Sequence, residues 1–236
     1  MNQVRPRRLV VVVGTGTGVG KTWVSARVLT TLRAAGVAVA ARKPAQSFDA
    51  GDDPAGLDAA VLGVASGEDP QTVCPPHRWY EVAMAPPMAA DVLGRDPITT
   101  SGIIEELAWP AQGIDVGLVE SAGGVRSPQT HDGDAVALVA ALAPDVVVLV
   151  ADAGLGTINA VRLSVGALAE GTRGEGGRGG ATSVVVVLNR FDEGIDLHRR
   201  NRTWLREQDG MTVLALPGQE ADLATMVRSP STVAHI

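Results

Sequence analysis

Lysine is almost missing from this chain. Of its 20 basic residues 18 are arginine, and the two lysines, Lys21 and Lys43, both stand in motif-like settings. A compact ammonium is retained where arginine's planar fork does not serve, among phosphates or beside a reacting amine. Aromatics are scarce too, at 3%, so the core must rest on Val, Ala and Leu. Trp23, Trp79, Trp109 and Trp204 are scattered in the way packing residues are, and not as a stacking platform. The single cysteine, Cys74, excludes an internal disulfide framework and suits a reducing compartment. No segment reaches about 18 uninterrupted apolar residues, which excludes a helical membrane span. The basic start followed by Leu9 to Val13 is too short an apolar run for a secretory signal. The net charge of −6 lacks the basic footprint of general nucleic-acid binding. A soluble cytoplasmic protein without nucleic-acid or membrane partners is expected.

What is present is an alternation. Six short β-branched runs read as strands: Leu9 to Val13, Val37 to Ala41, Val116 to Glu120, Val146 to Asp152, Ser183 to Asn189 and Thr212 to Leu216. They are apolar almost throughout, as strands covered on both faces must be. Helical patterns lie between them, at Thr22 to Ala35, Asp58 to Ala65, Thr99 to Ala108, Asp134 to Ala143, Ile158 to Ala169 and Leu197 to Glu207. This order predicts one α/β domain over residues 1–236, with a mostly parallel, doubly wound sheet and helices on both faces. Residues 1–8 are expected to form a flexible start and residues 171–180, GTRGEGGRGG, a mobile loop. The proline-rich stretch Pro70 to Pro97 breaks the rhythm and is expected to wrap the edge of a site.

Between the first strand and the first helix lies GTGTGVGKT, Gly14 to Thr22. A Gly-rich turn in that position offers backbone N–H groups to phosphate oxygens, with the helix dipole behind them. The backbone of Gly16, Thr17, Gly18, Val19 and Gly20 would form the cradle. Lys21 would reach the β- and γ-phosphates, and the Thr22 hydroxyl would ligate Mg²⁺. This is a P-loop NTPase signature, one residue longer than the general motif. Partition-type regulatory ATPases carry a second lysine early in the loop, at the position of Gly16 here.

Lys43, in ARKPAQSF, leaves the second strand at its carboxyl end because Pro44 forces an extended or turning path. In open α/β sheets ligands bind at that edge. Ser47 lies four residues on and adds a hydroxyl. Glu120 ends a strand in LVESAGG and is placed to approach a metal and phosphates, with Gly123 and Gly124 allowing backbone close to a ligand. A further acid should come from Asp52, Asp53 or Asp58. Asp58 opens a helical pattern and could also be an N-cap. His77, His131, His198 and His235 show no ligand spacing, and His131 reads as a loop residue near the site edge.

In order along the chain, GTGTGVGKT, KPAQS, VESAGG, APPMAADVLGRDPI, ADAGLGTINAVRLS and VLNR resemble the motifs of the dethiobiotin synthetase family. The resemblance runs from Leu9 to about Pro217. It implies formation of dethiobiotin, ADP and phosphate from 7,8-diaminononanoate, CO₂ and MgATP. It also implies that Asp58 and Glu120 complete the Mg²⁺ site with Thr22, and that Thr17, Lys43 and Ser47 contact the carbamate and the transferring phosphoryl group. By the same resemblance Pro87 and Gly123 lie on the substrate side. Gly156, Thr157, Ile158 and Asn159 hold the substrate tail across a homodimer interface, and Asn189 and Pro217 border the base. This sequence departs from the family pattern at Gly18, Ser121 and Gln46. Two rival classes share parts of the pattern, a P-loop amidation ligase of the cobyrinic acid type and a partition-type regulatory ATPase.

Overall fold

The computed structural model describes residues 5–172 and 183–229. Its centre is a six-stranded sheet in the order β10-β9-β8-β1-β5-β2, and every neighbouring pair is parallel. The strands are β1 (Arg8–Gly14), β2 (Val39–Arg42), β5 (Val116–Glu120), β8 (Val146–Asp152), β9 (Ser183–Asn189) and β10 (Val213–Ala215). These are the six runs expected from the sequence. Two small ribbons flank the sheet. One pairs β3 (Gln46–Ser47) with β4 (Trp79–Tyr80), and the other pairs β6 (Pro128–Thr130) with β7 (Gly133–Asp134).

Strand alternation sorts the core into two layers. Val10 and Val12 face a layer that also holds Val24, Val28, Leu29 and Leu32 of α1 (Lys21–Ala34), Leu62 of α2 (Asp58–Ser66) and Leu223 of α9 (Glu220–Arg228). Val11 and Val13 face the other layer. There Ile103 of α5 (Thr100–Glu106), Leu138 of α6 (Ala135–Leu142), Leu168 of α7 (Thr157–Thr172) and Leu205 of α8 (Asp196–Glu207) cover them. Each fully buried Val or Leu contributes about 1.5–3 kcal/mol by leaving water. A charge at Val11 would therefore lose that term and add an unpaired buried ion. β2 is an edge strand, and its free side is covered. The Lys43 N–H donates to the Val73 carbonyl at 2.8 Å and the Ala41 N–H to Glu68 Oε2 at 2.7 Å. This satisfies groups that would otherwise recruit another strand.

Three corrections arise. Residues 5–8 are not a loose start: Pro6 is buried, the Arg7 N–H bonds the Ile114 carbonyl at 2.9 Å, and Arg5 donates to the Leu142 and Ala143 carbonyls. The proline-rich stretch, expected to wrap the edge of a site, also contains two helices that were not expected, α3 (Pro70–Val73) and α4 (Pro86–Val92). Proline is preorganised for the first turn, and the Asp69 carboxylate caps α3 through the Gln71 N–H. Helix α9 has no counterpart in the sequence reading. The expected mobile loop begins inside α7 at residues 171–172, and its remainder lies outside the described residues.

Candidate active site

β1 ends at Gly14 and α1 begins at Lys21, so the phosphate-loop segment links strand to helix as its spacing requires. Gly20 sits at φ 92°, and a Cβ there would run into the Asn189 side-chain amide, so only glycine fits. Gly124 lets the segment after β5 lie against the loop, since a Cβ there would come 3.2 Å from the Thr15 carbonyl oxygen. Two consecutive residues at the end of β9 brace the loop from outside. Asn189 Nδ2 donates to the Val19 carbonyl at 2.9 Å, and Arg190 donates to the Gly18 carbonyl at 2.7 Å. Arg190 adopts φ 55°, which few non-glycine residues do, and its guanidinium also pairs with Asp152 at 2.9 Å.

Inside the loop, Lys21 Nζ donates to the Gly123 carbonyl at 2.8 Å and the Gly16 carbonyl at 3.2 Å. Burial, seconded by the charge of Lys43, pulls its pKa down to about 8. Lys43 follows β2 as expected and is buried, with Nζ 2.7 Å from Asp58 Oδ2, 2.9 Å from Glu120 Oε1 and 3.2 Å from the Ser121 carbonyl. Burial works against this ammonium, but the two carboxylates outweigh it and hold it above the ordinary lysine value. Asp58 shows the converse. Burial alone would raise its pKa, yet Lys43 and the Thr22 hydroxyl hold the carboxyl below its usual range.

The Thr22 hydroxyl lies 2.7 Å from Asp58 Oδ1 and 2.9 Å from Glu120 Oε1. Two carboxylate oxygens thus meet one hydroxyl, with the Lys43 ammonium donating to both carboxylates. Such an all-oxygen set, with two carboxylates and a hydroxyl, fits Mg²⁺, which keeps waters and phosphate oxygens for its remaining positions. Of the three candidate acids, Asp58 is the one the fold delivers. Asp53 caps the turn Pro54–Gly56 and Asp52 accepts from the Asp49 N–H, both exposed. Asp58 makes no cap of its own helix, because the N-cap position is Leu57. Ser25, which the sequence reading passed over, donates to Glu120 Oε2 at 2.7 Å and fixes that carboxylate. It lies three residues beyond Thr22 on the same helix face, a spacing that could have found it.

These groups border a cavity of about 480 Å³. Its wall includes Thr17, Gly18, Gly20, Lys21, Thr22, Lys43, Ser47, Asp58 and Gly123 from the expected set. Gln46, one of the departures from the family pattern, joins it, as do Ala83 to Pro86 of the proline-rich stretch expected at a site edge; Ser127 joins it without having been expected there. Glu120 lies beneath, fully buried. Pro87 is buried and does not line the cavity, where its neighbour Pro86 does. Gly16, Val19, Asn189 and Pro217 stay outside that wall; Asn189 ends β9 and Pro217 lies two residues past the end of the adjacent β10, and the Phe191 N–H to Leu216 carbonyl bond of 2.9 Å joins the two segments. Thr157, Ile158 and Asn159 open α7, Gly156 immediately precedes it, and none of the four lines this chain's cavity. His131 bridges instead of lying loose, with Nε2 2.9 Å from Asp91 of α4.

The parallel sheet, the phosphate loop at its centre and the lysine-bearing strand end define a P-loop nucleotide-binding protein. Two solved structures share the fold. One is a nucleotide-binding protein in complex with ADP from Archaeoglobus fulgidus, with TM-score 0.51, 15% identity, and coverage of 95% of this chain and 88% of that one. The other is a putative plasmid partition protein from Borrelia burgdorferi bound to AMPPNP, with TM-score 0.51, 12% identity, and coverage of 95% and 91%. The family model described as AAA domain matches residues 8–225. The ATP-dependent dethiobiotin synthetase BioD of Haloferax mediterranei is 38% identical over 207 residues, covering 87% of this chain and 82% of the relative. That of Anaeromyxobacter dehalogenans (strain 2CP-C) is 35% identical over 228 residues, covering 94% and 95%. The chain belongs to the ATP-dependent dethiobiotin synthetase family.

Proposed function

We propose that this chain is an ATP-dependent ligase that closes the ureido ring of dethiobiotin from 7,8-diaminononanoate and CO₂, in biotin biosynthesis. The observation that carries this reading is the meeting of the chain's two lysines with Asp58, Glu120 and Thr22 at one cavity. A partition-type reading leaves the buried Lys43 unexplained, and Gly16 stands where the signature lysine of those ATPases would be.

One substrate amine adds to CO₂ to give a carbamate and releases a proton. A carbamate oxygen then attacks the γ-phosphorus, and the bond to ADP breaks. The second amine attacks the carbonyl carbon of the mixed anhydride, closes the ring, and expels phosphate as it loses its proton. The protein forms no bond in this sequence, so its contribution is position and charge. Lys21 exchanges its carbonyl partners for the β- and γ-phosphates, whose charge restores its ordinary basicity. Lys43, held by Asp58 and Glu120, places a fixed positive charge where negative charge builds on the transferring group. Thr17 and Ser47 supply hydroxyls to the carbamate side, and Gly123 lets backbone approach it. Thr22, Asp58 and Glu120 would hold Mg²⁺, which supplies charge neutralisation on the phosphates. Backbone N–H groups from Gly16 to Gly20 cradle those phosphates, while Asn189 and Pro217 border the base.

Gly156, Thr157, Ile158 and Asn159 act on the substrate tail of a partner subunit in a homodimer, in keeping with their absence from the lining of this chain's own cavity. The chain acts as one domain, and its buried free thiol suits the cytoplasm. The test is phosphate release from MgATP and bicarbonate with and without 7,8-diaminononanoate, with product identified by mass. Diamine-dependent turnover yielding dethiobiotin is expected. ATP hydrolysis indifferent to the diamine would sink the reading.

A further inference from the structure

Gln46 opens β3, in the ribbon that pairs it with Trp79, apart from the main sheet. It is 3% exposed and borders the cavity together with Lys43, Ser47 and Asp58. Its Oε1 accepts the Ala59 N–H at 2.9 Å, at the start of the helix that carries Asp58. That bond sets the orientation of the amide, because turning it over would bring an NH₂ group against another donor. Nε2 therefore points away from α2, and it is buried without a hydrogen-bond partner. The neighbouring Ser47 Oγ is buried and unpartnered as well. Both residues line the cavity, and a buried donor left unsatisfied at its wall is unfavourable in the free protein; a ligand oxygen that reaches it removes the deficit.

We propose that Gln46 is a substrate-contacting residue, whose Nε2 donates to an oxygen of the carbamate. This rests on the function proposed above. The carbamate is a better partner than the triphosphate on topological grounds. Phosphates are claimed by the loop after β1, whereas Gln46 and Ser47 follow β2, which β5 separates from β1 in the sheet. The carbamate must lie between the two, in line with the γ-phosphate and within reach of Lys43. A neutral amide donor suits that place, since it binds the anionic oxygen without adding charge beside the two lysines.

Two variants separate contact from mere support of α2. Gln46→Glu keeps an oxygen for the Ala59 N–H and replaces the donor by an acceptor. Gln46→Met keeps the volume and removes both functions. Steady-state kinetics with diamine as the varied substrate, and direct titration of ADP, are read alongside the thermal midpoint. Expected is a fall in kcat/KM for the diamine of about 10- to 100-fold in both variants, the worth of one hydrogen bond to a charged group. ADP affinity should stay within about threefold in both, as Gln46 lies off the phosphate loop. A Gln46→Glu enzyme with wild-type kcat/KM for the diamine overturns the proposal. So does a parallel loss of ADP affinity, which would assign Gln46 to supporting α2. A wild-type protein that makes no dethiobiotin would instead remove the functional reading underneath.

Discussion

Replacing Lys43 by methionine removes one positive charge from a cluster that includes two carboxylates, and the geometry of that cluster determines the effect on stability. Lys43 Nζ is 2.7 Å from Asp58 and 2.9 Å from Glu120. The Asp58 side chain is 37% exposed and can rehydrate, whereas Glu120 is 0% exposed and cannot. Glu120 keeps its bonds to Ser25 and Thr22 but loses its counter-charge. Breaking a buried pair from one side costs about 3–5 kcal/mol. For a chain of this size that is a fall of roughly 6–20 °C in the unfolding midpoint at neutral pH. The sign with pH comes from Asp58. In the wild type Asp58 is held below its usual range, a contribution present at neutral pH and lost as pH falls through the lowered value. That loss narrows the gap between the two proteins on acidification. Added Mg²⁺ should also restore part of the variant's midpoint by supplying the missing charge. The assay is thermal unfolding from pH 3 to 8, with and without Mg²⁺. A midpoint at neutral pH equal to wild type, or a gap that widens in acid, would refute the reasoning.

Other perturbations test separate parts of the site. Gly20→Ala places a methyl group against the Asn189 amide at φ 92°; it should weaken ADP binding by at least about tenfold, the cost of a strained left-handed residue, measured by calorimetry. Ser25→Ala removes the bond that fixes Glu120 Oε2. It should raise the Mg²⁺ concentration for half-maximal activity by about 10-fold, as loss of a ligand's supporting partner does, with less change in KM for the diamine. Cys74 is buried, and burial drives its pKa up to about 12. A thiol reagent at pH 8 should leave the native chain unmodified and take one equivalent in denaturant; prompt native modification would contradict this.

Much of the architecture was legible because a parallel sheet covered on both faces demands apolar runs such as Val10 to Val13 and Val184 to Val187. The lysine pair was legible for a different reason, since an arginine-rich chain that retains lysine twice marks both places. Proline hid what it should have revealed. Pro70 and Pro86 read as interruptions, though each occupies the first turn of a short helix. The choice of Asp58 over Asp52 and Asp53 needed three dimensions, because only folding brings α2 against Lys43. Gln46 and Ser25 have no local signature either, as their roles come from partners at Ala59 and Glu120. Arg190 is a similar case, with a partner at Gly18 far back in the chain.

The brace formed by Asn189 and Arg190 on the carbonyls of Val19 and Gly18 has a consequence for binding entropy. Carbonyls tied outward leave the loop with less freedom to lose when a nucleotide arrives. The ordering that a free glycine-rich loop would undergo on association has been moved into folding, where the sheet drives it. ATP then meets a site whose shape was set by β9, two strands from the loop it stabilises.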